Sequence, residues 1–358
     1  MPSLKEIKGR INSISSTLAI TSAMKMVASA KLQKAQMAIQ NMLPYERRLY
    51  SMLVDLMGAM NISAAASEDG SVRGSGSAER GFDQSGDRLS LSNRHDLAGM
   101  DGAYSLMAQR EVRKVAIVAF ASNSSLCGAF NSNVIREATA VINEYRASGL
   151  GDADITVYSV GRKMAEAMRK LGFPSPADFT RMSDSPSYEA ASALAQELLD
   201  GFVSGRFDKV ELVYNHYKST SSQPTTRQTY LPLSLADATA DLQAEKITDS
   251  ASETDTNKVA EPVGAPVVRQ GSPTTEDLIV EPSKEALIAT LLPKVVRLRI
   301  FTTLLDSAAA EHAARTVAMQ LATDNGNDLL QELTLEYNKG RQQKITSEIL
   351  DLVGGSMQ

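Results

Sequence analysis

From Leu4 onward the apolar positions step by three and four residues: Leu4, Ile7, Ile11, Ile14 and Leu18. The same register continues through Thr21, Lys25, Ala28, Leu32, Ala35, Ile39 and Met42. A heptad of this kind predicts a long helix packed along one seam against a partner, with left-handed supercoiling. At the other end no proline follows Pro293, and Leu330, Leu333, Tyr337, Ile345, Ile349 and Leu352 line a second helical stripe that Gly354 and Gly355 stop. Neither stripe can stay in water alone. Laid antiparallel they cover each other, so the chain is expected to be a rod made from its own termini. At a rise of 1.5 Å per residue, positions 294–353 would reach about 90 Å, well beyond a globular domain of roughly 30 Å.

Between the stripes the period changes. Residues 1–60 are expected to be helical, with a kink or break near Pro44. Residues 61–110 turn rich in Gly, Ser and charge, as in Ser71-Val72-Arg73-Gly74-Ser75-Gly76-Ser77, and predict a flexible insertion. Short apolar runs then mark buried strands at Lys114–Phe120, Ile155–Val160 and Lys209–Tyr214, with a fourth strand expected over Thr226–Leu233. Helices are expected over Asn131–Ala147, from Gly161 to Leu171, and over Tyr188–Ser204, with a loop from Pro174 to Pro186. Strands alternating with helices predict a small Rossmann-like α/β domain over 111–236 with a mainly parallel sheet. An acidic, Ser/Thr/Pro-rich stretch over 237–279 reads as a second flexible insertion, and 280–358 as the second long helix. The fold class is therefore α/β, with an antiparallel coiled coil of the N- and C-terminal helices.

Composition narrows the function. A formal net charge of −5 offers no global basic field for nucleic acid or a membrane surface. Locally, residues 1–60 carry 8 Lys/Arg against 3 Asp/Glu, so the first helix is a candidate docking face for an acidic partner, or simply a solvated basic face. No run of 18 apolar residues exists to span a bilayer. The start, Met-Pro-Ser-Leu-Lys-Glu, shows no signal or transit pattern, which predicts a cytoplasmic location.

Catalytic chemistry finds little support. The loop Ser122–Gly128 after the first strand holds one glycine, lacking both the three-glycine dinucleotide turn and the Gly-Lys-Ser/Thr phosphate loop. Cys127 is the single cysteine, which excludes an intramolecular disulfide and a thiolate cluster. As a nucleophile it would need His216 or His312 as base, whereas a lone Cys beside a strand end is more often a small buried hydrophobe. His95, His216 and His312 show no zinc-ligand spacing. No catalytic residue, cofactor site or metal site is predicted. The polar breaks in the stripes are the better lead. Thr21 and Lys25 interrupt the first seam, and Asn338–Lys344 interrupts the second. Such residues either specify register or meet a third party.

The same stretches carry a resemblance. Ile20-Thr21-Ser22-Ala23-Met24-Lys25-Met26-Val27-Ala28-Ser29-Ala30-Lys31-Leu32 resembles the N-terminal motif of the gamma subunits of F-type ATP synthases. Ala310–Met319, Ala322–Asn325 and Leu335–Thr346, followed by Glu348 and Ile349, resemble the C-terminal motif, and Ser125–Asn131 the turn after the first strand. Departures are the two insertions, Gly340 where alanine is usual and Ala310 where serine is usual. A plant-type redox loop, which needs two cysteines, is excluded. The resemblance implies a non-catalytic central rotor shaft that couples proton flow through a membrane ring to ATP synthesis on the beta subunits. It implies as partners the hexamer of alpha and beta subunits, the epsilon subunit and the c-ring, with no nucleic acid. It also implies a peripheral position on the cytoplasmic face of the bacterial inner membrane. By motif position, Met24, Lys25, Arg315, Gln342, Thr346 and Glu348 would contact the hexamer. The rivals from other classes are an α/β nucleotide enzyme with coiled-coil arms and a structural coiled-coil scaffold.

Overall fold

The computed structural model describes residues 3–68, 106–107, 110–233, 281 and 283–355. Two helices dominate it. α1 runs over Leu4–Glu68 and α6 over Lys284–Gly355, and they pack against each other along their length as an antiparallel pair. At 1.5 Å per residue they are about 98 Å and 108 Å long. Of the kink or break expected near Pro44, the break does not occur, since α1 is one helix across it. Pro44 and Gln40 both lie on the exposed face, so water can satisfy the Gln40 carbonyl that proline leaves without a helical donor. Pro293 likewise sits inside α6. Apart from helical positions 61–68 and residues 106, 107 and 110, the two expected insertions lie outside the described residues.

The α/β region contains β1 (Val115–Phe120), α2 (Phe130–Ala147), β2 (Ile155–Val160), α3 (Arg162–Lys170), α4 (Thr180–Asp184), α5 (Tyr188–Val203), β3 (Lys209–Asn215) and β4 (Thr225–Leu231). The sheet order is β2-β1-β3-β4, with the first three strands parallel and β4 antiparallel to β3. The turn of α4 falls inside the stretch expected to be loop. β1 is buried along its whole length, which is why it reads as an unbroken apolar run rather than an alternating one.

The two faces of the sheet are covered differently. Val115, Ile117, Ala119, Val157 and Val213 pack with Val134, Ala138, Val141, Met164 and Met168 of α2 and α3. On the opposite face Ala116, Val118, Phe120 and Leu212 pack with α5, with Leu49, Leu53 and Leu56 of α1, and with Ile288, Leu292, Val295, Val296 and Ile300 of α6. Tyr230 adds a buried bond, its hydroxyl donating to the Val296 carbonyl at 2.9 Å. The long helices therefore supply much of one core layer before they leave the sheet as a pair.

Beyond the sheet the heptad is visible in burial. Leu4, Ile7, Ile11, Ile14, Leu18, Thr21, Lys25, Ala28 and Leu32 are half-buried or buried, while the intervening residues are mostly exposed. On α6 the matching line is Met319, Thr323, Gly326, Leu330, Leu333, Tyr337 and Gly340. Two glycines set the approach. A Cβ at Gly326 would stand 2.6 Å from Leu18 Cδ2, and one at Gly340 would stand 3.1 Å from Leu4 Cδ2. Leu4 lies at the start of α1 and can yield a few tenths of an ångström. Gly340→Ala should thus stabilise the pair by about 0.5–1 kcal/mol through helix propensity. At Gly326 the closer contact should cancel that gain. Thermal melts of both variants followed at 222 nm would check this, and equal gains would show that the seam does not discriminate between the two sites.

Candidate functional site

The six residues singled out on the shaft fall at three levels. Leu18 faces Gly326, and the Thr323 hydroxyl donates to that of Thr21 at 3.2 Å. This register puts Met24 and Lys25, both half-buried, beside the level of Met319. Gln342 lies 23 residues further along α6, roughly 35 Å up the axis. The Thr21 break in the seam is thus matched by a polar partner, as a register-setting position should be. Position 323 carried the signal for this, being a threonine in step with the second stripe.

The tip is bare. Gly340 faces Leu4 at the very start of α1, so among the described residues α6 continues beyond its partner helix from residue 341. Gln342, Thr346 and Glu348 are all exposed there. Thr346 donates its hydroxyl to the Gln342 carbonyl at 2.9 Å, and Glu348 pairs with Lys344 at 3.7 Å, both within the helix. Ile345, Ile349 and Leu352, expected to pair with the first stripe, instead stand 47%, 54% and 74% exposed. The reason is length: α1 begins too late to cover them. Together with Leu350 they form an apolar surface at the end of the rod. Contiguous exposed apolar surface of this kind marks a place where another molecule sits.

Arg315 is placed differently. It lies where the pair meets the α/β region, and its side chain is 11% exposed. Nη1 pairs with Glu311 at 2.7 Å, and Nη2 donates to Ser124 Oγ at 2.7 Å, in the loop after β1. Burial raises the Glu311 carboxyl above the ordinary carboxylate range and outweighs the opposing pull of Arg315. Burial, with Arg315 and Lys31 close by, pushes His312 down to about 4. Its Nδ1 is buried and has no hydrogen-bond partner among the described residues. This keeps the ring neutral and leaves it a packing group.

The Ser122–Gly128 loop occupies the strand-end crevice where an open α/β sheet would hold a ligand. Cys127 and Phe130 are buried there against Ala310 of α6. Asn131 Nδ2 reaches Cys127 Sγ at 3.2 Å and the Ser124 carbonyl at 3.1 Å. The crevice is therefore filled by the protein's own side chains. At the loop tip Leu126 is 58% exposed and adopts φ +68, which costs about 1–2 kcal/mol for a residue with a Cβ. No sequence signal marks that conformation. Among the described residues no cluster of His, Cys, Asp and Glu fits a metal ion. No described helix is long and apolar enough to cross a membrane.

A long antiparallel helical pair, rooted in a small α/β layer and ending in a bare apolar tip, defines a class of shaft proteins. The family model described as ATP synthase matches residues 3–357. A curated relative from Phocaeicola vulgatus, an ATP synthase gamma chain, is 48% identical over the whole of both chains. The ATP synthase gamma chain of Bacteroides thetaiotaomicron is 45% identical, again over the full length of both. The chain belongs to the ATP synthase gamma-chain family. Its fold is similar to that of a chain in the Euglena gracilis mitochondrial ATP synthase, from a structure of OSCP, F1 and c-ring, with a TM-score of 0.54 at 18% identity, covering 99% of this chain and 93% of that one. A chain from the rotor of the same complex gives 0.51 at 18% identity, covering 96% and 98%.

Proposed function

We infer that this chain is the central rotor shaft of an F-type ATP synthase, a non-catalytic subunit that turns with a membrane ring and so couples proton flow to ATP synthesis on surrounding subunits. One observation carries the reading: among the described residues α6 outruns α1, with Ile345, Ile349, Leu350 and Leu352 exposed beyond it, while the other end of the pair is built into an α/β core. Such a tip needs a sleeve, and the alpha and beta subunits of the catalytic hexamer would provide it. The α/β region, at the opposite end, would meet the epsilon subunit and the c-ring. The chain would then lie peripherally on the cytoplasmic face of the bacterial inner membrane.

Met24, Lys25, Gln342, Thr346 and Glu348 are the proposed contacts to the hexamer, made and broken as the shaft turns. A subunit that acts this way works through contacts that differ between states of its partner. Thr346 and Gln342 contribute only a local bond to the folded chain, so removing them spares the fold. Gln342→Ala with Thr346→Ala should lower ATP-driven proton pumping per ATP hydrolysed by about fivefold, the scale of a hydrogen bond or two, with the yield of assembled complex nearly unchanged. Membrane vesicles assayed for pumping, with subunit content read by gel, give the answer. Normal pumping would mean that the polar run is only a solvated face.

A further inference from the structure

We propose that Arg315 is a positioning residue of the shaft: it ties the Ser122–Gly128 loop to α6 and acts through that loop, without touching the surrounding subunits itself. The inference rests on the rotor reading. Its side chain is 11% exposed, and both of its described partners are within the chain, Glu311 one turn back on α6 and Ser124 on the loop. A planar guanidinium can hold a carboxylate with one nitrogen and a hydroxyl with another in a fixed fork, which an ammonium cannot do as well.

The loop is braced from the other side as well. Asn131 of α2 accepts from the Ser122 amide at 3.0 Å and donates to the Ser124 carbonyl. Asn123 donates to the Thr180 carbonyl at 2.7 Å and accepts from the Arg162 amide at 2.7 Å. Three elements of the α/β region thus hold the loop to that region, and Arg315 holds it to the shaft. The object so fixed is the tip at Leu126, exposed and in a left-handed conformation. A local conformation of this kind persists only where the surroundings over-determine it. Ser124 is itself exposed, so its hydroxyl contributes no core packing, and its bond to Arg315 can be removed alone.

The test uses the assembled complex in membrane vesicles, with Arg315→Gln, Ser124→Ala, the double variant and Ser124→Thr. Arg315→Gln and Ser124→Ala should each lower pumping per ATP hydrolysed by about threefold, the scale of one net hydrogen bond, with hydrolysis unchanged. The double variant should be no worse than Arg315→Gln alone, because the two residues form one unit. Ser124→Thr keeps the acceptor and should couple normally. Hydrogen exchange of the Ser124–Gly128 amides in Arg315→Gln should quicken by about tenfold relative to the rest of the α/β region. Losses that multiply in the double variant, or normal coupling in Ser124→Ala, would overturn the proposal and assign Arg315 a contact of its own with another subunit. The Ser124→Ala arm decides the matter even where Arg315→Gln fails to assemble. An unmodified complex that hydrolyses ATP and pumps nothing would instead sink the rotor reading.

Discussion

Gly161→Ala is expected to destabilise the purified chain by about 3–5 kcal/mol, the sum of a forbidden backbone conformation and a hard overlap. Gly161 joins β2 to α3 at φ +97 and ψ 144, a region that essentially only glycine visits. There the chain runs against the segment leaving β1. A Cβ at position 161 would lie 2.0 Å from the Ala121 carbonyl oxygen and 2.8 Å from its carbon. Those atoms are backbone, and they are held in place. The Ala121 amide donates to the Val160 carbonyl at 2.8 Å, and the Lys163 amide donates to the Ser122 carbonyl at 3.2 Å. Neither strand end can retreat without breaking these bonds. Gly149 separates the two causes, since its φ is +99 but nothing lies within 4 Å of its missing Cβ. Gly149→Ala should therefore lose only the backbone part, about 1–2 kcal/mol. Urea unfolding of the two variants measures the difference, and equal losses would show that the close approach at Ala121 is unimportant.

Glu211→Ala is expected to cost about 2–3 kcal/mol at neutral pH, less than a fully buried pair because its cations reach solvent. Glu211 is 2% exposed on β3. It accepts from the Tyr145 hydroxyl at 2.7 Å and from Arg227 Nε at 2.7 Å, and it pairs with Lys209 Nζ at 2.7 Å. Arg227 also reaches Glu144, so α2, β3 and β4 meet at one carboxylate. Burial pushes the Glu211 carboxyl up, but the bonds from Arg227, Lys209 and Tyr145 outweigh it and hold it below its ordinary range. A carboxyl lowered in the folded state stabilises the fold above its unfolded value, and that contribution fades as pH falls through the lower folded value. The gap between wild type and Glu211→Ala should therefore be full at pH 7 and shrink below about pH 4.3. Glu311, raised by burial, has the opposite dependence, but it is common to both proteins and cancels in the comparison. Urea unfolding at pH 7 and pH 3.5 would test the sign, and a gap that widened in acid would refute it.

Much of the architecture follows from periodicity. The register Leu4, Ile7, Ile11, Ile14, Leu18 reappears as the half-buried to buried line of α1, and Leu330, Leu333 and Tyr337 as the half-buried line of α6. A heptad is legible because it is local: side chains three and four apart share a face whatever the partner is. The strands were legible for a similar reason, since β1 is covered on both faces and so is apolar at every position. Pro44 does not break α1 because its exposed site lets water replace the lost helical bond.

The site residues were legible only as types and as motif. A polar break in a stripe has the same sequence appearance whether it sets register, meets a partner or ties down a loop. Thr21 proved to pair with Thr323, and Arg315 with Ser124, across separations of 302 and 191 residues. Ile345, Ile349 and Leu352 continue the second stripe in sequence, yet they stand bare because α1 starts opposite Gly340.

By itself the sequence determined the two helices, their seam, the alternating α/β order and the resemblance to a family. Each of these is written in short-range spacing or in contiguous motifs. Only the tertiary structure decided the register of the pair, the length of the bare tip, the plugged crevice and the partners of Arg315. These depend on which distant backbones approach, and the spacing of residues along one segment carries no measure of that.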